Sequence, residues 1–253
     1  MGSDLLALSG TAIAVGVTHT LLGPDHYVPF VALSRTRNWS IYRTGVITFL
    51  CGIGHVLGSV VLGAVGIMAG IMVGRLERFE AFRGEIAASL LFAFGTIYML
   101  WGLWRFFYPR EHKHAFLHKA GIAHSHLHSH SHETHSHAAA DAEAGHGHDH
   151  GEAGSEAEAN SSTPWVLFII FVLGPCEPLI PLLMYPASEN NFTGALVVAG
   201  VFSVATIGTM LAVVMSLYAG ISRLNLGLLQ RLSHFLAGLA IALCGAAILF
   251  LGL

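Results

Sequence analysis

Five ionisable side chains, His19, Asp25, His26, His55 and Glu177, stand inside long apolar runs of this chain. Each would cost about 2.5–3.5 kcal/mol if it faced hydrocarbon. Four of the five are histidine or aspartate, ligand types that suit first-row divalent metals. No arginine or lysine falls in the middle of an apolar run, so a bound cation is what the two carboxylates call for. On a straight helix His19 and His26 would be about 10.5 Å apart, too far to share one ion. Gly23 and Pro24 lie between them. Proline removes a backbone donor and clashes with the preceding turn, and glycine tolerates unusual dihedrals. Unwinding there would bring Asp25 and His26 back toward His19 and free carbonyl oxygens. His55 sits on a glycine stripe (Gly54, Gly58, Gly66, Gly70) that allows close helix approach. Cys176 and Glu177, bracketed by Pro175 and Pro178, mark a second distorted stretch. The cysteine is a soft donor, and the glutamate suits a ligand, a proton carrier or a cap. Elsewhere His124, His126, His128, His130, His132, His135, His137, His146, His148 and His150 form a low-complexity tract of metal-binding composition.

The elements that must position these groups follow from composition. The 253 residues are 54% hydrophobic and 11% charged, with a mean hydropathy of +0.64. Soluble domains carry about 25% charged residues. Of 17 histidines, thirteen fall between His112 and His150, and eight of 15 acidic residues fall between Glu111 and Glu158. The remainder is apolar sequence in pieces longer than the roughly 18 residues needed to cross a bilayer. Soluble-enzyme, nucleic-acid-binding and disulfide-scaffold classes are thereby excluded, and no enzymatic activity is expected. Cys51, Cys176 and Cys244 all lie in apolar segments.

Six apolar segments are predicted as spans: Leu5 to Leu33, Thr44 to Gly74, Ile86 to Tyr108, Trp165 to Tyr185, Ala195 to Ile221, and Leu232 to Leu253. The first, lacking an upstream basic region, reads as a retained span. Residues 109–163 hold almost no large apolar side chains and are expected to be a disordered loop. They separate a first half, 1–108, from a second, 164–253. Nine basic residues follow spans one, three and five against three on the other side (Arg75, Arg78, Arg83). That bias places the loop in the cytoplasm and both termini outside. Leu22-Gly23-Pro24-Asp25-His26 recurs 151 residues later as Leu173-Gly174-Pro175-Cys176-Glu177, and the same offset lays His55 over Thr206. Repeats of three spans must enter the membrane from opposite sides. The expected fold is therefore an all-α integral membrane protein of six transmembrane helices, two inverted three-helix repeats with broken first helices, a plan shared by many secondary transporters.

His19-Thr-Leu-Leu-Gly-Pro-Asp25-His26 resembles the signature of the nickel/cobalt permease superfamily, closest to its urease-accessory nickel permease and NicO-type branch. In the main permease motif four residues separate the histidine from Asp-His; here five do. Gly52-Ile-Gly54-His55 is similar to a second family motif. The resemblance implies secondary transport of Ni²⁺ or Co²⁺ across the plasma membrane. Metal selection would rest on His19, Asp25, His26 and His55, and the cytoplasmic histidine loop would buffer or deliver metal. It implies no tightly bound cofactor, no nucleic-acid partner, and an accessory metallochaperone as a candidate partner. Leu173 to Pro178 also resembles sulfite exporters and membrane thiol-disulfide carriers. Two alternatives follow: an anion exporter, disfavoured by the carboxylates, and a thiol-redox carrier, which needs a second cysteine near Cys176.

Overall fold

The computed structural model describes residues 2–108, 112–117, 123–128, 163–222 and 232–252. The chain divides into two units, Met1–Gly102 with Ser162–Leu253, and Leu103–Ser161. The first is all helical. Helix α1 (Gly2–Leu22) ends where the Gly23 N–H makes a last helical bond to the His19 carbonyl at 3.0 Å. Pro24 has no N–H to continue the series. Pro24–His26 instead close a 3₁₀ turn, and α2 (Val28–Thr36) restarts with Pro29 in its first turn, where a missing donor is harmless. Helix α3 (Ile41–Met68) is capped by Ser40, whose hydroxyl accepts from the Arg43 N–H at 3.2 Å. It ends at Gly70, in the left-handed region at φ 63°.

Helix α4 runs Val73–Phe107, thirteen residues further back than the span expected from Ile86. The segment carrying Arg75, Arg78 and Arg83, expected to be a connecting loop, is helical. Its buried positions, Leu76, Glu80, Ala87, Leu91, Gly95, Tyr98 and Gly102, recur at three, four or seven residues, one helix face through the charged part and the apolar part alike.

Helices α5 (Thr163–Leu173) and α6 (Leu179–Ser188) flank a second break. Together they occupy the predicted fourth span, and neither alone is long enough to cross. Helices α7 (Phe192–Ser222) and α8 (Ser233–Leu251) complete the unit. Five helices, α1, α3, α4, α7 and α8, are long and apolar enough to span a membrane. Helix α7 packs along α1 and α3, α3 also meets α5 and α6, and α8 lies against α2. Helices α4 and α8 approach through paired glycines: a Cβ at Gly95 or Gly102 would strike the α8 backbone, and one at Gly238 or Gly245 the α4 backbone.

The distribution of polarity is that of a membrane-embedded protein. Phe30, Leu33, Leu167, Phe202 and Ile241 are fully buried, but so are Thr44, Thr48, Ser59, Glu80 and Thr206. Leu57, Val61, Ile97, Leu196, Val204 and Leu243 face outward, Val204 with 74% of its surface exposed. Water would penalise that exterior; lipid does not.

In the second unit His112–Leu117 and Ala123–His128 pair as antiparallel strands, with His112 opposite His128 and His114 opposite His126. These twelve residues depart from the loop without regular structure that composition suggested. Polar and apolar residues alternate in part of them, a period-two pattern that short composition windows hide. His124, His126 and His128 belong to the second strand. His130, His132, His135, His137, His146, His148 and His150 lie outside the described residues.

Candidate metal centre

The break after α1 gathers three imidazoles. His19 comes from the last turn of α1, His26 from the 3₁₀ turn and His55 from the middle of α3. One ring nitrogen of each lies within 4.8 Å of the others. The His26 and His55 Nε2 atoms are 3.3 Å apart, their rings perpendicular, and each residue is 2% exposed. His19 stacks nearly parallel to His55 at 6.2 Å between centroids and meets the edge of His26 at 4.8 Å.

The opposite faces of the rings show what those nitrogens carry. His26 Nδ1 lies 3.0 Å from Asp25 Oδ1 and 3.0 Å from the Gly23 carbonyl, both acceptors, so Nδ1 holds the proton. On the far side of His55 the helix end at Phe171–Gly174 packs close: a Cβ on Gly174 would stand 3.1 Å from His55 Nδ1. His26 Nε2 is therefore an acceptor aimed at His55 Nε2, which either donates its proton to it or shares a cation with it. A tetrahedral ion with nitrogen ligands about 2.0–2.1 Å away would set them about 3.3–3.4 Å apart. Histidine ligands of metals regularly donate their other N–H to a carboxylate or carbonyl, which fixes the ring.

Asp25, expected among the ligands, is placed differently. Its carboxylate holds His26 from behind, and it falls outside the group of three converging nitrogens. Cys176 is fully buried at the second break, its Sγ 4.0 Å from His19 Nε2. Glu177 points the other way and is exposed. It lines an open cavity of about 540 Å³ with Glu77, Arg78 and Pro181. His234 is remote from the three histidines in its contacts: its Nδ1 lies 2.8 Å from the Tyr98 hydroxyl. Thr206, which the 151-residue offset lays over His55, is buried beside Gly16, and its hydroxyl has no hydrogen-bond partner among the described residues. Cys51, Cys176 and Cys244 are all free thiols.

Sequence reasoning missed one group. Arg83 donates to Glu80 Oε1 at 2.6 Å, and its other terminal nitrogen to the carbonyls of Val172 at 2.9 Å and Gly174 at 3.4 Å. The Glu80 side chain is fully buried and that of Arg83 12% exposed. The expectation that no basic residue sits within the apolar architecture is corrected here: α4 begins early enough to carry Arg83 into it. The signal was available in the helical spacing of Leu76, Glu80, Arg83 and Ala87. Ser59, one turn beyond His55, accepts the Cys176 N–H at 3.1 Å.

No family model, no curated protein and no solved structure matches this chain.

Proposed function

We propose that this protein is a secondary transporter of divalent transition-metal ions, Ni²⁺ or Co²⁺ foremost, and that His19, His26 and His55 bind the ion in transit. The observation that carries the reading is the convergence of three imidazoles, with the His26 and His55 Nε2 atoms 3.3 Å apart and His26 Nδ1 held from behind by Asp25 and the Gly23 carbonyl. Imidazole nitrogen suits nickel, cobalt, copper and zinc, and disfavours magnesium and calcium. A site at a broken helix is where secondary transporters place their substrate. In this reading α5 and α6 together form a broken fourth span and the two halves are inverted repeats, as the shared Leu-Gly-Pro at both breaks suggests. The chain would then be a member of the nickel/cobalt permease superfamily in the plasma membrane, with its histidine-rich loop in the cytoplasm buffering or delivering metal to an accessory metallochaperone. Glu177, at the mouth of an open cavity, would be an entry or proton-exchange group.

The test is Ni²⁺ and Co²⁺ binding by the purified full chain, with flux measured in liposomes. His26→Ala and His55→Ala should each remove flux and the tightest binding while the protein still reaches the membrane. Asp25→Asn should weaken binding about 10–100-fold, the usual effect of losing the group that orients a metal-bound histidine. Affinity should fall as pH falls, because protons compete for the same nitrogens. Unchanged flux in both histidine variants would place the transported ion elsewhere.

A further inference from the structure

We propose that Cys176 is a fourth ligand of this site, so that the second half completes the metal's coordination through sulfur. The inference rests on the three-histidine reading and adds a residue from the opposite end of the chain. The Cys176 side chain is fully buried, and its Sγ is turned to His19 Nε2 at 4.0 Å. In a tetrahedral site with metal–sulfur near 2.3 Å and metal–nitrogen near 2.0–2.1 Å, the sulfur–nitrogen edge is about 3.5–3.6 Å. The observed gap is therefore within half an ångström of a ligand edge, while the His26–His55 pair already has ligand spacing.

The backbone around Cys176 is built to keep the thiol there. Ser59 accepts its N–H at 3.1 Å, four residues after His55 on the same helix, so α3 sets both an imidazole and the cysteine. The carbonyl of Gly174 is bonded to Arg83, and Gly174 itself lies against His55 Nδ1. The 151-residue offset lays Cys176 over Asp25, and the two approach the three histidines at different points: Asp25 behind the His26 ring, Cys176 beside His19 Nε2. On binding, sulfur donates a pair to the ion and its proton leaves to solvent. Three imidazoles and one thiolate form a borderline-soft donor set, which favours Co²⁺, Ni²⁺ and Zn²⁺ over Mn²⁺ and Mg²⁺. Such a site also bridges the two halves, so the ion itself would hold them together.

Cobalt reports its own ligands. The full chain carrying Cys51→Ser and Cys244→Ser, with Cys176 its remaining cysteine, is titrated with Co²⁺ in detergent without oxygen. A thiolate-to-cobalt charge-transfer absorption should appear and should vanish in His26→Ala and His55→Ala, because histidines of the loop cannot produce it. Cys176→Ser in the wild-type background should lose the absorption and bind Co²⁺ at least tenfold more weakly, yet still through His26 and His55. If the double serine variant is not recovered, the wild type compared with Cys176→Ser gives the same decision. Cobalt binding that depends on His26 and His55 but shows no charge transfer would overturn the sulfur ligand and leave the histidine site standing. A charge-transfer band that survives both histidine variants would put the sulfur on another ion, and overturn it as well. Absence of any histidine-dependent cobalt binding would overturn both readings.

Discussion

The two helix breaks begin with the same three residues and are held in place by opposite means. At Gly23–Tyr27 the unwound backbone is stabilised from within: the Gly23 carbonyl accepts from the His26 N–H at 3.1 Å and faces the His26 ring, which Asp25 also holds. At Gly174–Pro178 the supports come from other helices. Arg83 of α4 takes the Val172 and Gly174 carbonyls, and Ser59 of α3 takes the Cys176 N–H. Both breaks have local turn bonds, but the first draws its side-chain support from its own residues and the second from α3 and α4. A motif repeated in sequence is thus braced by its own side chains at one break and by those of other helices at the other.

The strongest way to break this contrast is Arg83→Ala. It leaves the fully buried Glu80 carboxylate without its cation and two carbonyls without a donor. Removing one partner of a buried pair costs about 3–5 kcal/mol, most of it the price of the stranded charge. Thermal unfolding in detergent should show the loss, and Glu80→Gln in the same chain should restore much of it by removing that charge. A melting curve equal to the parent's would mean that the second break does not depend on α4.

The same contrast explains what the sequence disclosed. His19, His26 and His55 were legible because an ionisable group among leucines and glycines has few roles, and Gly23-Pro24 named the place where a helix must open. The position of Asp25 was not, since a carboxylate beside a histidine serves equally as a ligand or as the group that orients one, and only the ring's rotation decides. Arg83 and Glu80 were hidden for another reason. Six charges between Arg75 and Glu85 resemble a solvated loop when only hydropathy is weighed. Their pairing is tertiary: Arg83 finds the carbonyls of residues 89 and 91 positions later. The predicted first and fourth spans were apolar, and Gly23-Pro24 and Gly174-Pro175 marked each of them as two shorter pieces.

Two glycine substitutions sharpen the comparison at intermediate size. A Cβ on Gly23 would stand 2.5 Å from His26 Nδ1 and 2.8 Å from Asp25 Oδ1, so the imidazole and its carboxylate would have to leave their places. A Cβ on Gly174 would stand 3.1 Å from His55 Nδ1 and 3.2 Å from the Phe171 carbonyl, a crowding that a few tenths of an ångström relieve. Gly23→Ala should therefore weaken Co²⁺ and Ni²⁺ binding by about tenfold or more, in the range seen when a metal-bound ring loses its orientation. Gly174→Ala should do so much less. Equal losses in a binding titration would show that the two breaks constrain the site alike.

The smallest expected effect belongs to Ser59→Ala, which removes one hydroxyl shared by the Cys176 N–H and Glu80. Ser59 is fully buried and its hydroxyl accepts the Cys176 N–H. Alanine keeps the helix, since it has the best helical propensity, and removes one oxygen. The Cys176 N–H would then keep only the neighbouring Glu80 carboxylate, a loss of about 1 kcal/mol. That is less than the Arg83 substitution because no charge is stranded. The break would keep its Arg83 anchor, so the fold should survive with a modestly lower melting temperature. The thiol would be less well placed, and any sulfur-to-cobalt absorption should weaken while binding through His26 and His55 persists. The first break supplies the internal control: its hydrogen bonds run among Gly23, Pro24, Asp25, His26 and Tyr27 and not to Ser59, so the dependence of metal binding on Asp25 should be the same in the Ser59→Ala background as in the parent. If that dependence changed, the two breaks would be coupled through α3, and the independence of the first would be lost.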